Sequence, residues 1–543
     1  MSGHPRTGTA SADLAELHGG PLPTPAVGTL GEALRRAART SHGVVLIDGT
    51  GTATRRSYAA LYDDAARTLA GLAAAGLPPG ARVILRTART ADLLTAFWAC
   101  VLGGLVPLPV PYGTGAAGIA EAVEAAGEAW LISDDPPGPL PPRLRWLGPV
   151  DTLRAAGAAP GGPVAVPPDG LALLTLTSGS AGRPKAVPLT HRHVLSRAQG
   201  TAVVRGLDKD TRSLNWMPLD HVSGIVMFHV RDVYLGCHQV HADTGWVRAD
   251  PLRWLDVADA ERIDTTWAPN HAFALVADRL DEEPARSWDL SRLRYVMSGG
   301  EAVKDRTVRR FVRALVTHGL PATAVHPGWG MPETASGVVD SVFRPGDGRP
   351  RRHVPVGVPH PGVSVRVVDE AGRVLPVGVV GRLQVRGAPV AGAYLEGGAL
   401  RPAPLSADGW LVTDDLAFVA EGELTVTGRA DGLIPVNGAS WHGHEIEDAV
   451  EELPCVLPSF TVARPFAGEA PDGADSGGLA VFFRCRPGVS PDEAEERVRE
   501  QVRRRFGAGT AHVEALAEHE LPRTATGKLR RSVLAARLSG GRR

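Results

Sequence analysis

A loop rich in glycine and serine follows an apolar stretch in the first third of the chain. Residues 171–177 are predicted to form a strand, and the loop at 178–185 reads SGSAGRPK. Small residues let backbone N–H groups turn inward around phosphate oxygens, and hydroxyls and a lysine add donors and charge. The spacing is not that of a Walker A loop, because Lys185 precedes alanine. The segment predicts a phosphate-binding loop of another class, with a polar turn as the alternative.

Six further segments have residue types that suit nucleotide chemistry. In chain order they are MSGGEA at 297–302, GWGMPETASG at 328–337, GRLQVRG at 381–387, WLVTDD at 410–415, GRAD at 428–431 and PRTATGK at 522–528. With the loop at 178–185, this ordered set resembles the adenylate-forming superfamily of acyl-CoA synthetases, peptide-synthetase adenylation domains and fatty acyl-AMP ligases. The resemblance implies transfer of AMP from ATP to an acid with release of pyrophosphate.

The resemblance implies roles for the polar residues of these segments. The loop at 178–185 would hold the β- and γ-phosphates of ATP, and Trp329 would stack on adenine. Glu333 would supply a hard oxygen ligand to Mg²⁺. The residues expected to bind ATP or AMP are Thr177, Ser178, Gly179, Ser180, Ala181, Gly182, Lys185, Gly299, Gly300, Glu301, Trp329, Gly330, Met331, Asp415 and Arg429.

The remaining implied roles concern the ribose, the reacting atoms and a domain movement. Asp415 and Arg429 would hold the ribose hydroxyls. Lys528 would act as a catalytic residue that bridges the substrate carboxylate and the α-phosphate as a mobile point charge. Asp431 matches a hinge about which a small C-terminal domain rotates after adenylation.

Lysine is rare in this chain, which makes its positions informative. Of the 58 basic residues only four are lysine, and two of them, Lys185 and Lys528, fall where the resemblance places a lysine. The planar fork of arginine is not equivalent to a compact ammonium at either position. The other two, Lys209 and Lys304, each lie beside an aspartate and are predicted to be surface residues.

Three segments indicate one branch of the superfamily. Residues 215–232, 266–271 and 436–447 look closest to fatty acyl-AMP ligases, and more narrowly to the activating domains that load bacterial polyketide and peptide assembly lines. His221 matches a pocket-gating histidine and is assigned as catalytic with Lys528. The residues expected at the acyl pocket are Asp220, His221, Asn270, His271 and Gly328. Because several of them are polar, we expect a small or polar acid, whose acyl group passes to a carrier-protein thiol or CoA.

Departures from the motifs leave alternatives open. Pro332 stands where the family has a threonine or serine whose hydroxyl contacts phosphate, and proline has neither a hydroxyl nor an N–H. Pro435 occupies the position of a lysine used in thioester formation, which disfavours CoA as the acyl acceptor without excluding it. One alternative is an adenylating enzyme that uses an amine acceptor or an unusual oxyacid such as nitrite. Another is a non-catalytic nucleotide-binding relative.

Alternating helical and strand-like segments predict the architecture that positions these residues. From residue 30 onward, Ala- and Leu-rich helical stretches alternate with short apolar runs, which favours an α/β fold of doubly wound mixed sheets with helices on both faces. The expected parts are a flexible leader at 1–28, an adenylation core at 29–430 and a small mobile α+β domain at 431–543. The resemblance implies that the core includes a distorted β-barrel subdomain.

Composition excludes several classes of partner. With 58 basic and 59 acidic side chains the net charge is −1, so no overall field attracts nucleic acid or an anionic membrane. Cys100, Cys237, Cys455 and Cys485 are far apart, which argues against a zinc motif or disulfide framework and favours a reducing compartment. The polar N-terminus lacks a signal-peptide pattern. We expect a cytoplasmic protein without nucleic-acid or membrane partners.

Overall fold

The computed structural model describes most of the chain. The described residues are 13–136, 138–139, 141–157, 162–177, 185–283, 285–345, 351–436, 439–466, 478–507, 510–523, 529, 531 and 533–534. They form a mixed α/β structure, and the predicted fold class is confirmed.

The α-helices of the described residues alternate with strands along the chain. They are α1 (Leu30–Ala37), α2 (Tyr58–Ala74), α3 (Thr90–Leu102), α4 (Ala116–Ala126), α5 (Val150–Ala156), α6 (His191–Arg205), α7 (Val222–Gly224), α8 (Arg231–Leu235), α9 (Thr244–Ala249), α10 (Arg253–Ala260), α11 (Asn270–Glu282), α12 (Asp305–Val316), α13 (Gly443–Val450) and α14 (Pro491–Phe506). A π-helical turn, Ile225–Val230, joins α7 to α8.

The strands of the described residues fall into six sheets. They are β1 (Glu16–His18), β2 (Gly43–Ile47), β3 (Ala53–Ser57), β4 (Arg82–Arg86), β5 (Val106–Pro109), β6 (Ala129–Ser133), β7 (Leu144–Gly148), β8 (Leu171–Leu176), β9 (Ala186–Thr190), β10 (Arg212–Asn215), β11 (His238–Ala242), β12 (Thr265–Trp267), β13 (Tyr295–Ser298), β14 (Val325–Met331), β15 (Ser336–Asp340), β16 (Val358–Pro359), β17 (Val363–Val368), β18 (Gly381–Gly387), β19 (Ala393–Glu396), β20 (Ala399–Pro402), β21 (Leu411–Ala420), β22 (Glu423–Arg429), β23 (Leu433–Val436), β24 (Ala439–His442), β25 (Val456–Phe466), β26 (Gly478–Cys485) and β27 (Thr510–Ala515).

Local sequence signals set several helix ends. Helix α1 begins at a capping box, in which the Glu32 N–H donates to Thr29 Oγ1 at 3.2 Å and the Glu32 carboxylate accepts from the Thr29 N–H at 3.2 Å. Helix α14 has Pro491 at its first position and ends at Gly507, whose φ of 71° is left-handed. Proline needs no N–H donor at the start of a helix, and glycine adopts the left-handed cap at little cost.

The largest sheet has nine strands and supports the site. Its order is β16-β15-β14-β13-β12-β10-β11-β2-β3, and the strands from β14 to β2 run parallel. A second, parallel sheet has the order β5-β4-β6-β7, and an antiparallel sheet has the order β20-β19-β9-β8. A core of stacked rings lies under α10, α11 and α12, where the centres of Phe273 and Phe311 are 4.4 Å apart. The described residues thus form parallel and antiparallel sheets, which agrees with the predicted mixed, doubly wound arrangement.

A five-stranded antiparallel sheet, β1-β17-β18-β21-β22, forms the barrel-like part of the large domain. Its edge strand β1 lies inside the segment predicted to be a flexible leader. Glu16 pairs with Arg366 and His18 pairs with Ser364, so this part of the leader prediction is wrong. The hydrogen bonds of a sheet edge hold residues 16–18, although their polar sequence lacks the apolar run of a buried strand.

The last part of the described chain is a small α+β unit. Strands β25, β26 and β27 form a sheet, strands β23 and β24 form a hairpin, and α13 and α14 accompany them. Its core includes Ile446, Val481, Phe483 and Val498, all fully buried. The unit agrees in class with the predicted C-terminal domain, whereas its exact limits and its mobility stay predictions.

Lys304 corrects one assignment made from sequence. It was predicted to be a surface residue, but its side chain is only 13% exposed and its Nζ lies 2.6 Å from Glu451 Oε2 of the small unit. Lys209 does lie at the surface, paired with Asp210 at 2.7 Å. The two lysines differ because the partner of Lys304 is distant in sequence.

Among the described residues, no helix is long and apolar enough to cross a bilayer.

Candidate active site

The predicted phosphate loop is closed at its base by one pair of residues. The Thr177 N–H donates to the Lys185 carbonyl at 2.8 Å, and the Lys185 N–H donates to Thr177 Oγ1 at 3.3 Å. These bonds continue the antiparallel β8–β9 ladder. The loop between them, with the predicted ligands Ser178, Gly179, Ser180, Ala181 and Gly182, lies outside the described residues.

Glu333 is the centre of the polar cluster beside this loop. It is 4% exposed, and its Oε1 accepts a hydrogen bond from the Tyr394 hydroxyl at 2.8 Å. The Lys185 ammonium lies 4.8 Å from the centre of the Tyr394 ring. Burial raises the pKa of Glu333 above its ordinary value, while the Tyr394 hydrogen bond and the Lys185 charge oppose that rise. The structure thus brings Glu333 and Lys185 to the same tyrosine, and their roles toward metal and phosphate stay predictions.

The second carboxylate oxygen of Glu333 is buried and has no hydrogen-bond partner among the described residues. A buried carboxylate oxygen with free lone pairs is costly unless a cation or donor meets it. Hard oxygen donors suit Mg²⁺, which keeps several waters and takes few protein ligands. No group of three or more His, Cys, Asp or Glu within the described part of the chain is arranged to hold a metal. The free carboxylate oxygen of Glu333 therefore fits as a ligand for one Mg²⁺.

A tight turn presents Glu333. Residues 332–334 form a 3-10 turn with Pro332 at its first position, where a backbone N–H is not required. Ala335 and Ser336 follow with left-handed φ values of 52° and 99°. The Thr334 hydroxyl donates to the Ser336 carbonyl at 2.6 Å and accepts from the Met331 N–H at 2.9 Å, which locks the turn. Pro332 therefore suits the backbone here, and strained residues follow it at the site.

Trp329 and Asp415 form the second cluster of predicted residues. The Trp329 indole N–H donates to Asp415 Oδ2 at 2.8 Å. Burial raises the pKa of Asp415, and the hydrogen bond from Trp329 opposes that rise. Asp415 faces Arg429 across the β21–β22 ladder. The residues predicted for adenine and ribose thus lie side by side.

Arg429 makes contacts that the motif did not predict. Its Nε donates to Asp431 Oδ1 at 2.9 Å, and its Nη2 lies 3.0 Å from Asp414 Oδ2. The guanidinium therefore neutralises two aspartates, one of which is the predicted hinge residue. Its expected role at the ribose stays a prediction.

Glycines allow the backbones of β13, β14 and β15 to approach each other closely. A Cβ at Gly299 would lie 2.6 Å from the Gly328 carbonyl oxygen, and a Cβ at Gly330 would lie 2.2 Å from the Ser336 carbonyl oxygen. Gly300 has a φ of 78°, which side chains rarely adopt. These glycines explain the motif spacing physically, because any larger residue would separate the strands that carry Trp329.

Four of the five residues predicted for the acyl pocket fall in two places, and the fifth, Gly328, lies in β14. Asp220 and His221 precede α7, and burial raises the pKa of Asp220 to about 6. The Ser223 N–H donates to His221 Nδ1 at 3.2 Å, so His221 caps the helix. The π-helical turn that follows is a rare geometry found often at functional sites.

Asn270 and His271 lie at the second place, which is the start of α11. Asn270 Oδ1 accepts from the Lys304 N–H at 3.0 Å. The His271 N–H donates to Glu301 Oε1 at 3.0 Å, and its ring Nδ1 lies 3.3 Å from the same oxygen. Both residues hold the segment after β13, and His271 contacts the predicted adenine residue Glu301. Their contact with an acid stays a prediction.

Two residues beside the predicted site residues were given no role from the sequence. Tyr394 lies in β19, outside every motif, and only the folded chain brings it to Glu333. The Met297 methyl group would lie 2.7 Å from a Cβ at Gly328 and 2.5 Å from one at Gly337, so Met297 covers both glycines. Met297 opens the MSGGEA segment, and its position directly before three small or polar residues was the available signal.

Lys528 lies outside the described residues, and its two flanks are described. Arg523 and Leu529 form an isolated antiparallel bridge, which brings the chain before and after residues 524–528 together. The Arg523 guanidinium donates to the Ser459 carbonyl at 2.6 Å.

The chain is similar in sequence to known proteins. A family model described as AMP-binding enzyme matches residues 34–395. The nonribosomal peptide synthetase apvA of Aspergillus terreus is 34% identical over 382 residues, which are 68% of this chain and 41% of that protein. Aspulvinone E synthetase melA of Aspergillus terreus is 31% identical over 487 residues, 85% of this chain and 52% of that protein. The chain spans about half the length of these curated relatives.

Solved structures with the same fold include two with adenylation domains. McyG A-PCP complexed with phenylalanyl-adenylate has a TM-score of 0.87 and 30% identity, and the match covers 97% of this chain and 85% of that one. The adenylation, ketoreductase and pseudo Asub domains of a keto acid-selecting NRPS module give a TM-score of 0.89 and 34% identity, covering 97% of this chain and 47% of that one.

Proposed function

The chain belongs to the AMP-binding enzyme family and activates an acid as its adenylate, and on that premise we propose that the acid is a small keto acid. We further propose that the acyl group then passes to the phosphopantetheine thiol of a carrier protein. The observation that carries the choice of acid is the similarity over nearly the whole chain to a module that selects keto acids. The choice of acceptor is supported by the similarity to an adenylation domain solved with its PCP.

The proposed nucleotide site uses the two clusters around Trp329 and Glu333. Trp329 would stack on adenine while its N–H orients Asp415 toward the ribose hydroxyls. Lys185, with the loop at 178–184, would hold the β- and γ-phosphates. Because aromatic stacking and charge-assisted hydrogen bonds are made before the reaction, this part of the site contributes positioning.

Mg²⁺ fits the buried, unpartnered oxygen of Glu333. A bound Mg²⁺ would neutralise charge on the phosphate oxygens and orient them. The residues that would hold it here are Glu333 directly and Tyr394 through its hydrogen bond to Glu333. That hydrogen bond keeps one oxygen of Glu333 occupied and leaves the other free for the ion.

The proposed reaction is an in-line displacement at the α-phosphorus. An oxygen of the substrate carboxylate bonds to the α-phosphorus, the bond from phosphorus to the bridging oxygen breaks, and pyrophosphate leaves with that electron pair. No proton has to move in this step. Negative charge gathers on the oxygens around phosphorus, and the Lys528 ammonium is the group that would neutralise it.

One observation favours a second substrate class. Asp220 is a partly buried carboxylate predicted at the acyl pocket, and a carboxylate there could pair with the ammonium of an amino acid. Phenylpyruvate and phenylalanine differ only in the group at C2, so they form a matched pair of test acids. A keto acid site should use phenylpyruvate and reject phenylalanine, since an ammonium without a well-placed partner is costly to bury.

The test is ATP–pyrophosphate exchange with a panel of acids, followed by mass detection of the adenylate. We expect exchange with small keto acids and little exchange with amino acids or medium and long fatty acids. Exchange with phenylalanine alone would overturn the keto acid proposal, and exchange only with fatty acids would overturn both. The Lys528→Ala variant should lose adenylate formation while still binding ATP, and near-normal exchange in that variant would overturn the mechanism.

A further inference from the structure

A buried arginine bridges two elements beside the predicted site. Arg197 lies in α6 and is 2% exposed. Its Nε donates to the Gly337 carbonyl oxygen in β15, and its Nη1 donates to the Met227 carbonyl oxygen in the π-helical turn, both at 3.1 Å. The guanidinium is planar, so these two donors keep a fixed separation and direction. One side chain therefore sets the spacing between the turn and the strand.

The bonding of Arg197 is unusual for a buried cation. Both acceptors are neutral carbonyls, and no carboxylate among the described residues forms an ion pair with it. Arg231, which follows the same turn, instead pairs with Asp232 at 2.7 Å, and both of those side chains are 1% exposed. Burial and, to a smaller extent, the charge of Arg231 lower the pKa of Arg197 to about 9. Because a buried charge without a counter-charge lowers stability, the presence of Arg197 points to a role in the site.

The π-helical turn is held in place by side chains of other elements. Such a turn closes its backbone hydrogen bonds over five residues instead of four, which interrupts the regular helical ladder. Arg197 gives one carbonyl of the turn, that of Met227, a donor from another helix. His229 is the second anchor: the Trp98 N–H donates to His229 Nε2 at 2.8 Å, so His229 Nδ1 carries the proton and donates to Gln239 Oε1 at 2.9 Å. The turn is therefore fixed to α3 and β11 through His229 and to β15 through Arg197.

The two elements that Arg197 bridges lie beside the predicted acyl pocket. The π-helical turn directly follows α7, which His221 caps, and β15 pairs with β14. The position of a Cβ on Gly337 lies 2.5 Å from Met297 Cε and 3.9 Å from Met227 Sδ, so the two methionines meet at this glycine. The space between them and Gly337 depends on how far the turn lies from β15.

We propose that Arg197 is a positioning residue that sets the width of the acyl pocket and so the size of acid that the pocket accepts. The inference rests on the proposed function, because it takes the acid to bind beside Met227, Met297 and Gly337. The role is indirect, since Arg197 acts through the two carbonyls that it bridges. Without the bridge, the turn can move away from β15, and a small acid then fills a smaller part of a wider pocket. Small acids should therefore lose more transition-state binding than large ones.

The test is ATP–pyrophosphate exchange by Arg197→Lys and Arg197→Met with three keto acids of increasing size, pyruvate, 4-methyl-2-oxopentanoate and phenylpyruvate. In both variants the kcat/KM of the larger acids relative to pyruvate should rise at least about fivefold over the parent. KM for ATP should stay within about twofold, because the nucleotide residues are not moved. A lysine ammonium keeps the charge but cannot hold two carbonyls at a fixed spacing, so Arg197→Lys should shift the ratio nearly as far as Arg197→Met.

Arg366→Met is the matched control for a loss of stability alone. Arg366 lies in β17, is 9% exposed and pairs with Asp408 at 2.7 Å. Thermal unfolding should show that this variant is less stable than the parent, while its ratio between acids stays unchanged. A ratio within about twofold of the parent in Arg197→Lys, an equal shift in Arg366→Met, or failure of both Arg197 variants to fold would overturn the positioning role and leave the proposed function standing. A parent protein that forms no adenylate with any keto acid would instead overturn the proposed function.

Discussion

Glu333 shows, at the scale of one residue, how a site can work against stability. Its carboxylate is buried, one oxygen lacks a partner, and burial raises its pKa above the ordinary value. A raised carboxyl pKa means that the ionised form is less favourable in the folded protein than in the unfolded chain. Its contribution to stability is present at acid pH and is lost as the pH rises through the raised pKa. At neutral pH, the charge serves cation binding and lowers stability.

The Glu333→Gln variant tests this conflict. At pH 7.5 without ligands, Glu333→Gln should have a Tm higher by about 1 to 2 °C, since 1 kcal/mol moves the Tm of a large domain by only a few degrees. The gain should vanish when the pH falls below the carboxyl pKa, where both side chains are neutral. Adenylate formation should fall about 100-fold or more, because charge stabilisation by a metal ion is worth several kcal/mol. Calorimetry at several pH values and pyrophosphate release measure the two effects.

Tyr394→Phe is the matched control for that variant. It removes the hydrogen bond to Glu333 and keeps the ring beside Lys185. We expect it to retain activity and to need more Mg²⁺, because the carboxylate loses the donor that orients it. A Glu333→Gln variant that is less stable than the parent at pH 7.5, or equally active, would contradict this account.

The sequence assigned roles to residues that lie in contiguous motifs. Trp329, Glu333 and Asp415 were assigned because each has a recognisable local neighbourhood, and the fold does bring Trp329 to Asp415. Tyr394 was not assigned, because it lies 61 residues from Glu333 in sequence and in no motif. A hydrogen bond between distant residues has no period or spacing that a sequence could reveal.

At the scale of elements, the contact between β14 and β15 depends on where glycine meets a backbone and where it meets a side chain. A Cβ at Gly330 would lie 2.2 Å from the Ser336 carbonyl oxygen, which belongs to the partner strand. The atoms nearest to a Cβ at Gly337 belong to two flexible side chains, Met297 and Met227. The two glycines therefore have different roles. Gly330 allows β14 and β15 to pair, and Gly337 leaves room for the Met297 side chain.

Gly330→Ala and Gly337→Ala form a matched pair that tests this difference. Gly330→Ala should destabilise the protein by about 2 to 3 kcal/mol, because the backbones must separate. Gly337→Ala should cost less than about 1 kcal/mol, since Met297 can move. If Met297 lines the acyl pocket as its contact with Gly328 indicates, Gly337→Ala should raise KM for the larger acids of a panel. Denaturant unfolding and exchange kinetics measure both, and equal stability of the two variants would contradict the assignment.

Element starts were predictable where a local signal exists. Pro491 stands at the first position of α14, and such a signal acts within one turn. The neighbour of each strand was not predictable, since β2 pairs with β11 almost two hundred residues later in the chain. The pairing of β1 with β17 was missed for the same reason, and residues 16–18 were assigned to a leader.

At the scale of the whole molecule, an ion pair links the large domain to the small one. Lys304 lies just before α12, and its partner Glu451 is the C-cap residue of α13. The two residues are 147 positions apart in sequence. The carboxylates of Glu451, Asp448 and Glu447 raise the pKa of Lys304 despite its burial, so this lysine stays charged at neutral pH. Burial raises the pKa of Glu451 even though Lys304 opposes the rise. The charge of each side chain in this pair is therefore favoured mainly by the opposite charge of its partner.

Removing one partner of the Lys304–Glu451 ion pair should lower stability far more than removing both partners. Lys304→Met leaves a buried, uncompensated carboxylate and should weaken docking of the small domain by about 3 kcal/mol, whereas Lys304→Met with Glu451→Leu should return to within about 1 kcal/mol of the parent. Lys209→Met, at an exposed pair with 68% and 69% side-chain exposure, should change little. Thermal unfolding reports the stability, and small-angle scattering reports a larger radius of gyration in the single variant alone. A single variant as compact and stable as the double would mean that apolar contacts, and not this ion pair, hold the two domains in this arrangement.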